Sequence, residues 1–181
     1  ELARARYAKQ AEKLHIVDIP ISMDELESVV EIRETITGLK PFVVIDFLQL
    51  LSLIGESDKQ KFLSISDRDN NNVMRLKKLA FRHKIPILVL TSVCSTSYYT
   101  SVSLESLKHT GGIENTADVV LGLQPRKYSF NDSRSGKREM AETMAKDVRE
   151  MSLSCVKNRD GKFGKVELRY KSSYSLFEEM K

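Results

Sequence analysis

The 181 residues include no tryptophan and only two cysteines, four prolines and eight glycines. Cys94 and Cys155 lie far apart without metal-ligand spacing, so reduced, packing thiols are expected in place of a disulfide or a zinc site. No apolar run approaches the roughly 20 residues that cross a bilayer, and the polar start Glu-Leu-Ala-Arg-Ala-Arg carries no signal-peptide core. A soluble, cytoplasmic protein with no membrane partner is the expectation. Also missing is any Gly-x-x-x-x-Gly-Lys-Ser/Thr, the loop whose backbone cradles nucleotide phosphates. There is no internal repeat and no boundary at which a second domain could be delimited. Residues 1–181 are therefore read as a single domain, with truncation on its N-terminal side as the expectation.

What is present is ordinary globular material, 41% hydrophobic and 30% charged. A formal charge of +4 permits a polyanionic partner, but so mild a lysine excess decides nothing alone. The chain is organised around Pro41 to Ser52, PFVVIDFLQLLS. Phe42 to Ile45 is β-branched and aromatic with no polar alternation, which predicts a strand buried on both faces of a parallel sheet, with Asp46 at its end. In open α/β sheets ligands bind outside the carboxyl ends of the strands. Asp46 then reads either as a cap on the next turn or as an acid that reaches a bound metal and phosphate.

Around this strand the pattern alternates. Glu1 to Lys13 favours a helix, and His15 to Ile19 is a short strand candidate. Ser22 and Glu25 fit a capping box for a helix carrying Leu26, Val29, Val30 and Ile36 on one face and ending at Gly38. Strand, helix and the 42–48 strand together predict a right-handed βαβ unit. Gly55 to Asn72 reads as a long loop whose Asp69 and Asn70 to Asn72 cap the next helix. In that helix Val73, Leu76, Leu79 and Ala80 share a face, and Arg75, Lys77, Lys78 and Arg82 form a solvated one, with phosphate contact as the alternative.

Ile85 to Leu90 is a second apolar strand, followed by Thr91, Ser92 and a loop through Ser103 in which Tyr98 and Tyr99 are weak candidates for base stacking. A short helix over Leu104 to His109, the pair Gly111 and Gly112, and a strand from Asp118 to Leu123 come next. After the basic loop Pro125 to Gly136, Lys137 to Arg149 places Met140, Met144 and Val148 on one helical face as core filler. Strands are expected over Ser152 to Lys157, Val166 to Tyr170 and Tyr174 to Phe177, the first two joined by a turn between Asn158 and Gly164.

Four of these segments, in order, resemble the RecA-like motor domain of DnaB-type replicative helicases. VVIDFLQLL (43–51) resembles that family's Walker B signature, LKKLAFRHKIPILVLTS (76–92) its third-motif helix and strand, SLKHTGGIENTADVVLGL (106–123) its DNA-loop segment, and KNRDGKFGKVEL (157–168) its Lys-Asn-Arg-Asn-Gly hairpin. The resemblance implies an α/β, RecA-like fold, a mainly parallel sheet flanked by helices with a C-terminal antiparallel hairpin. It implies ATP and Mg²⁺ as cofactors and Asp46 as the metal-holding acid. Lys157 and Arg159 are implied to reach a neighbouring subunit's ATP. Lys108, His109 and Gly111 are implied to contact the backbone of single-stranded DNA. Ser92 stands where the family usually has a γ-phosphate-sensing glutamine, and His109 and Lys108 stand in for a glutamate and an arginine. The implied partners are single-stranded DNA, further copies in a ring, expected to be a hexamer, and a helicase loader or primase.

The first functional expectation is accordingly part of an ATP-driven, ring-forming helicase motor that unwinds duplex DNA. The alternative is a catalytically inactive module holding single-stranded DNA or a replication partner. An unrelated enzyme using Asp46 as general acid or base lacks a paired catalytic group. Whether the polypeptide is an enzyme is left open, because these residues alone, without the phosphate cradle, are expected to be inactive.

Overall fold

A capping box starts the first described helix: the Ser22 hydroxyl accepts the Glu25 amide at 3.2 Å while Glu25 accepts the Ser22 amide at 2.6 Å. From there a computed structural model describes residue 8 and residues 11–51, 64–93, 101–107, 112–126 and 134–180. Helix α1 (Met23–Thr37) ends at Gly38, whose φ of 65° is the left-handed cap that glycine adopts without penalty. Met23, Leu26 and Val30 are buried on its inner face, whereas Ile36 is exposed and falls outside it.

Strand β1 (Val43–Ile45) and helix α2 (Leu48–Leu51) follow, then helix α3 (Ile65–His83) and strand β2 (Ile87–Val89). β1 and β2 pair in parallel, with Val44 opposite Leu88. One face of this pair, Val43, Ile45, Ile87 and Val89, packs with Leu48, Leu51, Val73, Leu76, Leu79 and Ile85 into the main core. The sequence predicts the other face buried too, but Val44 is 53% and Leu88 44% exposed. Alternation puts Phe42 and Leu90 on that same open face, because side chains two apart in a strand point the same way. The expected strand at His15 to Ile19 is not formed. These residues are exposed and unpaired as strand, and an apolar run becomes a strand only where a neighbour completes its hydrogen bonds. The predicted βαβ unit is therefore replaced by β1–α3–β2 as the observed parallel crossover.

Helix α3 begins well before the position that the sequence suggests. Ser64 is its cap, accepting the Asp67 amide at 3.1 Å, so the stretch from Ile65 to Asn72 is helix and not loop. Asp69 and Asn72 do not cap it; both are buried within its second and third turns. Propensity makes these residues look like loop formers, and tertiary packing overrides it. The cationic face is also less free than its sequence implies. Arg75 pairs with Asp24 and Glu27, and Arg82 with Glu27, stitching α3 to α1.

The rest of the chain builds on a second sheet. A 3-10 turn (Leu104–Leu107), helix α4 (Ile113–Thr116), strand β3 (Val119–Pro125), helix α5 (Arg134–Ala145), strand β4 (Val148–Asn158), strand β5 (Lys165–Lys171), a 3-10 turn (Ser172–Tyr174) and strand β6 (Leu176–Glu179) follow in order. The strands pair antiparallel in the order β3-β4-β5-β6, so the antiparallel part extends beyond the expected hairpin to four strands. α5 stops at Ala145; Val148 belongs to β4, and both Met144 and Val148 are exposed, so neither fills the core as expected. The expected α/β class stands.

Gly112, the residue before α4, has φ 68°, and a Cβ placed there would lie 2.5 Å from Asn70 Oδ1 of α3. The paired glycines allow positive φ and close approach of another backbone; at Gly112 the positive φ is found, but the close neighbour is the Asn70 side chain and not a backbone. Gly38 has a similar φ with nothing within 4 Å, which makes it the natural control. Gly38→Ala is expected to cost about 1 kcal/mol, from the left-handed backbone alone. Gly112→Ala should cost at least as much, since it shares the left-handed backbone and must also turn the end of the Asn70 side chain aside. A smaller shift in the unfolding midpoint for Gly112→Ala than for Gly38→Ala would contradict this.

Candidate functional site

The carboxyl ends of β1 and β2 are built as one edge. The Leu90 amide donates to Ile45 O and the Leu48 amide donates to Leu90 O, both at 2.9 Å, so the chain leaving β1 is tied to the chain leaving β2. Gln49 reinforces the link, its Nε2 donating to Thr91 Oγ1 at 3.0 Å. Asp46 follows β1 and Ser92 lies just past β2 on the chains tied in this way, both exposed. Asp46 makes no side-chain hydrogen bond among the described residues, leaving its carboxylate oxygens open. An exposed carboxylate at this edge fits a hydrated Mg²⁺. The phosphates of ATP are not accommodated by the residues present, since the sequence contains no glycine-rich loop ending in Gly-Lys-Ser/Thr. Among the described residues there is also no group of three metal-ligating side chains.

A second cluster forms where β4 ends. Lys157 Nζ donates to the carbonyls of Glu114 at 2.7 Å and Asn115 at 3.5 Å, both on α4. Arg159 Nη1 pairs with Asp118 at 3.0 Å, its Nη2 donates to Asn115 O at 3.4 Å, and its amide donates to Asp118 O at 3.0 Å. Lys77 of α3 closes the group through an ion pair to the other Asp118 oxygen. Lys77 and Arg159 thus share one acid, and Lys157 and Arg159 share one short run of carbonyls. The structure brings Lys157 and Arg159 together on the Asn115 carbonyl, whereas Asp46 and Ser92 share only the tied strand ends, and no hydrogen bond or ion pair among the described residues links the two groups.

Lys108, His109 and Gly111, and with them Tyr98, Tyr99 and Cys94, lie outside the described residues, as does most of the Glu1 to Lys13 segment. Cys155 is a free thiol donating weakly to Lys157 O at 3.2 Å. No helix among the described residues is long and apolar enough to cross a membrane.

Sequence reasoning alone misses three participants. It takes Asp118 no further than the start of a strand, although its place in the Ala-Asp of the third resembling segment is a usable signal. Asn115 acts through its backbone carbonyl, which no sequence pattern exposes. Gln49 sits inside the Asp-Phe-Leu-Gln-Leu motif without a role that the motif itself assigns.

The Asp118 carboxyl is held below its ordinary range, first by the hydrogen bond from Lys77 and then by the charges of Lys77, Arg159 and Lys157, against an opposing effect of burial. A carboxyl depressed in the fold contributes stability that is complete above its ordinary value of 3.8 and is lost as pH falls through the lower folded value. A carbon-detected NMR titration should therefore place the Asp118 midpoint below 3.8. In Lys77→Met it should move back upward; an unchanged midpoint in that variant would contradict the assignment.

Comparison with known proteins agrees with this architecture. The family model described as DnaB-like helicase C terminal domain matches residues 2–179. The replicative DNA helicase DnaB of Mycoplasma genitalium is 28% identical over 176 residues, covering 90% of this chain and 34% of that protein. A probable replicative DNA helicase of Trieres chinensis is 28% identical over 140 residues, 75% of this chain and 28% of that one. The chain thus spans about a third of the length of these relatives. Among solved structures, a DnaB-like replicative helicase, determined in a study of its interactions with primase, superposes with a TM-score of 0.67 at 21% identity, over 88% of this chain and 36% of that one. A separately solved ATPase domain gives the same TM-score and identity over 52% of its chain. At that identity the structural likeness speaks for the fold, which is the expected RecA-like plan. The family model, which takes in all but three residues of the chain, settles membership: these residues belong to the DnaB-like helicase C-terminal domain family.

Proposed function

We propose that these residues form part of an ATP-driven, ring-forming DNA helicase motor, in which Lys157 and Arg159 complete the nucleotide site of an adjacent subunit. The observation that carries this reading is the setting of Arg159. Its guanidinium is fixed on one edge by Asp118 and Asn115, yet the side chain remains 48% exposed. A planar, permanently charged fork held at the surface suits transfer of charge to a phosphate of a separate molecule.

On this reading Asp46 would help to hold Mg²⁺, whose charge would stabilise the phosphates of ATP, and exposed Ser92 takes the place of a γ-phosphate-sensing glutamine with a shorter side chain that presents no amide. Lys108, His109 and Gly111 grip the phosphate backbone of single-stranded DNA, by charge and by close backbone approach, without reading bases. ATP turnover at successive interfaces of a hexamer then draws one strand through the ring. A primase or helicase loader is the further partner, and the cytoplasm the site of action.

The test is hydrolysis and forked-duplex unwinding by the complete gene product that contains these residues. DNA-stimulated ATPase with unwinding supports the motor. Absence of both would favour a non-catalytic module that holds DNA or a replication partner. Residues 1–181 alone, lacking the phosphate cradle, should bind Mg-ATP weakly or not at all by calorimetry; tight, Mg²⁺-dependent binding would contradict that expectation.

A further inference from the structure

We infer that Asp118 is a positioning residue for Arg159, aiming the guanidinium outward from the surface on which Lys157 is also seated. The inference rests on the functional reading above, and the geometry suggests how the work is divided. Arginine carries five N–H donors on a long, rotatable stem, so a finger that must meet a phosphate across a boundary needs its other edge fixed beforehand. Here Nη1 is taken by Asp118 Oδ1 and Nη2 by Asn115 O, while the Arg159 amide donates to Asp118 O. Asp118 therefore holds the residue at both backbone and side chain.

Asp118 is itself immobilised from the opposite side. Its Oδ2 accepts Lys77 Nζ, and Lys77 stands on α3, the longest described helix and a wall of the main core. The aiming of Arg159 is thus referred to the packed body of the protein through Lys77 and Asp118, and not to the exposed turn that follows β4. Glu114 and Asn115, which take the Lys157 ammonium, lie on α4, whose preceding residue Gly112 is seated against Asn70 of the same α3. Both cations consequently share one frame. Because a misplacement of about 1 Å in a catalytic geometry costs on the order of 10²-fold in rate, loss of that frame should be read directly in turnover.

The experiment uses the complete gene product with saturating single-stranded DNA, and compares D118N, D118E, R159A and the D118N/R159A pair for kcat and KM of ATP hydrolysis. D118N keeps the shape and an acceptor but removes the charge. It is expected to lower kcat by roughly tenfold or more with KM for ATP changed less than about twofold, the pattern of an interaction used in the transition state. D118E should recover much of the loss. The double variant should be no slower than R159A alone, because positioning has no value once the positioned group is gone. If R159A is slow but D118N turns over at the normal rate, or if the two losses multiply, the positioning role is overturned while the functional reading survives. If R159A itself hydrolyses ATP normally, the functional reading fails, and the role of Asp118 with it.

Discussion

Replacing Arg159 by alanine in the complete gene product is expected to reduce ATP hydrolysis by roughly 10³-fold, at the lower end of what a transferred guanidinium contributes to phosphoryl transfer. The reason is local: Arg159 lies half exposed with one edge engaged by Asp118 and Asn115. Nothing in that arrangement is needed to hold the main core, so the unfolding midpoint should barely move. Lysine should not rescue, since an ammonium lacks the planar fork. The decisive version mixes subunits. Arg159→Ala protein and Asp46→Asn protein, each inactive alone, should recover part of the activity when combined, because some interfaces then join an intact Asp46 to a neighbour's intact Arg159. No recovery on mixing, with assembly intact, would place Arg159 outside its neighbour's site.

Leu79→Ala should produce the largest loss of stability, about 3 kcal/mol. Leu79 is 1% exposed and lies in the cluster that joins α1, β1, α2, α3 and β2. Truncation removes buried methyl groups and leaves a cavity that the rest of the cluster cannot fill without backbone movement. Against a total stability of roughly 5–15 kcal/mol the loss is severe, and the thermal midpoint should fall by roughly 10 °C. Leu79→Met, which nearly conserves volume, should cost less than about 1.5 kcal/mol. A midpoint shift below roughly 2 °C for the alanine variant would show that this cluster is not the core that holds the fold.

Much of this is open to a reader of the sequence. The apolar runs at 43–45 and 87–89 are strands, the Ser22–Glu25 box starts a helix and Gly38 ends it, and the Asn158 to Gly164 turn joins two antiparallel strands. Each follows from forces that act within a few residues: backbone sterics, capping hydrogen bonds and turn chemistry. The failures share a different origin. His15 to Ile19 has strand composition but no described neighbour to pair with. The polar stretch from Ile65 to Asn72 has loop composition but is drawn into a helix with Asp69 and Asn72 buried.

The candidate site divides the same way. Its residue types and their order along the chain were determined by the sequence: an acid at the end of one apolar strand, Ser92 at the end of the next, and a lysine and an arginine two apart at a turn. Which of them meet was decided by tertiary structure alone. Parallel pairing of β1 with β2 ties the chain after Asp46 to the chain before Ser92, through Leu48 to Leu90 and Gln49 to Thr91, and the register of β3 against β4, with Val119 opposite Asn158, delivers Asp118 to Arg159 from a distant part of the chain. Lys77 reaches the same acid from α3. Such meetings depend on how separate elements pack, and a one-dimensional pattern records the tendency of each element without the register that joins them.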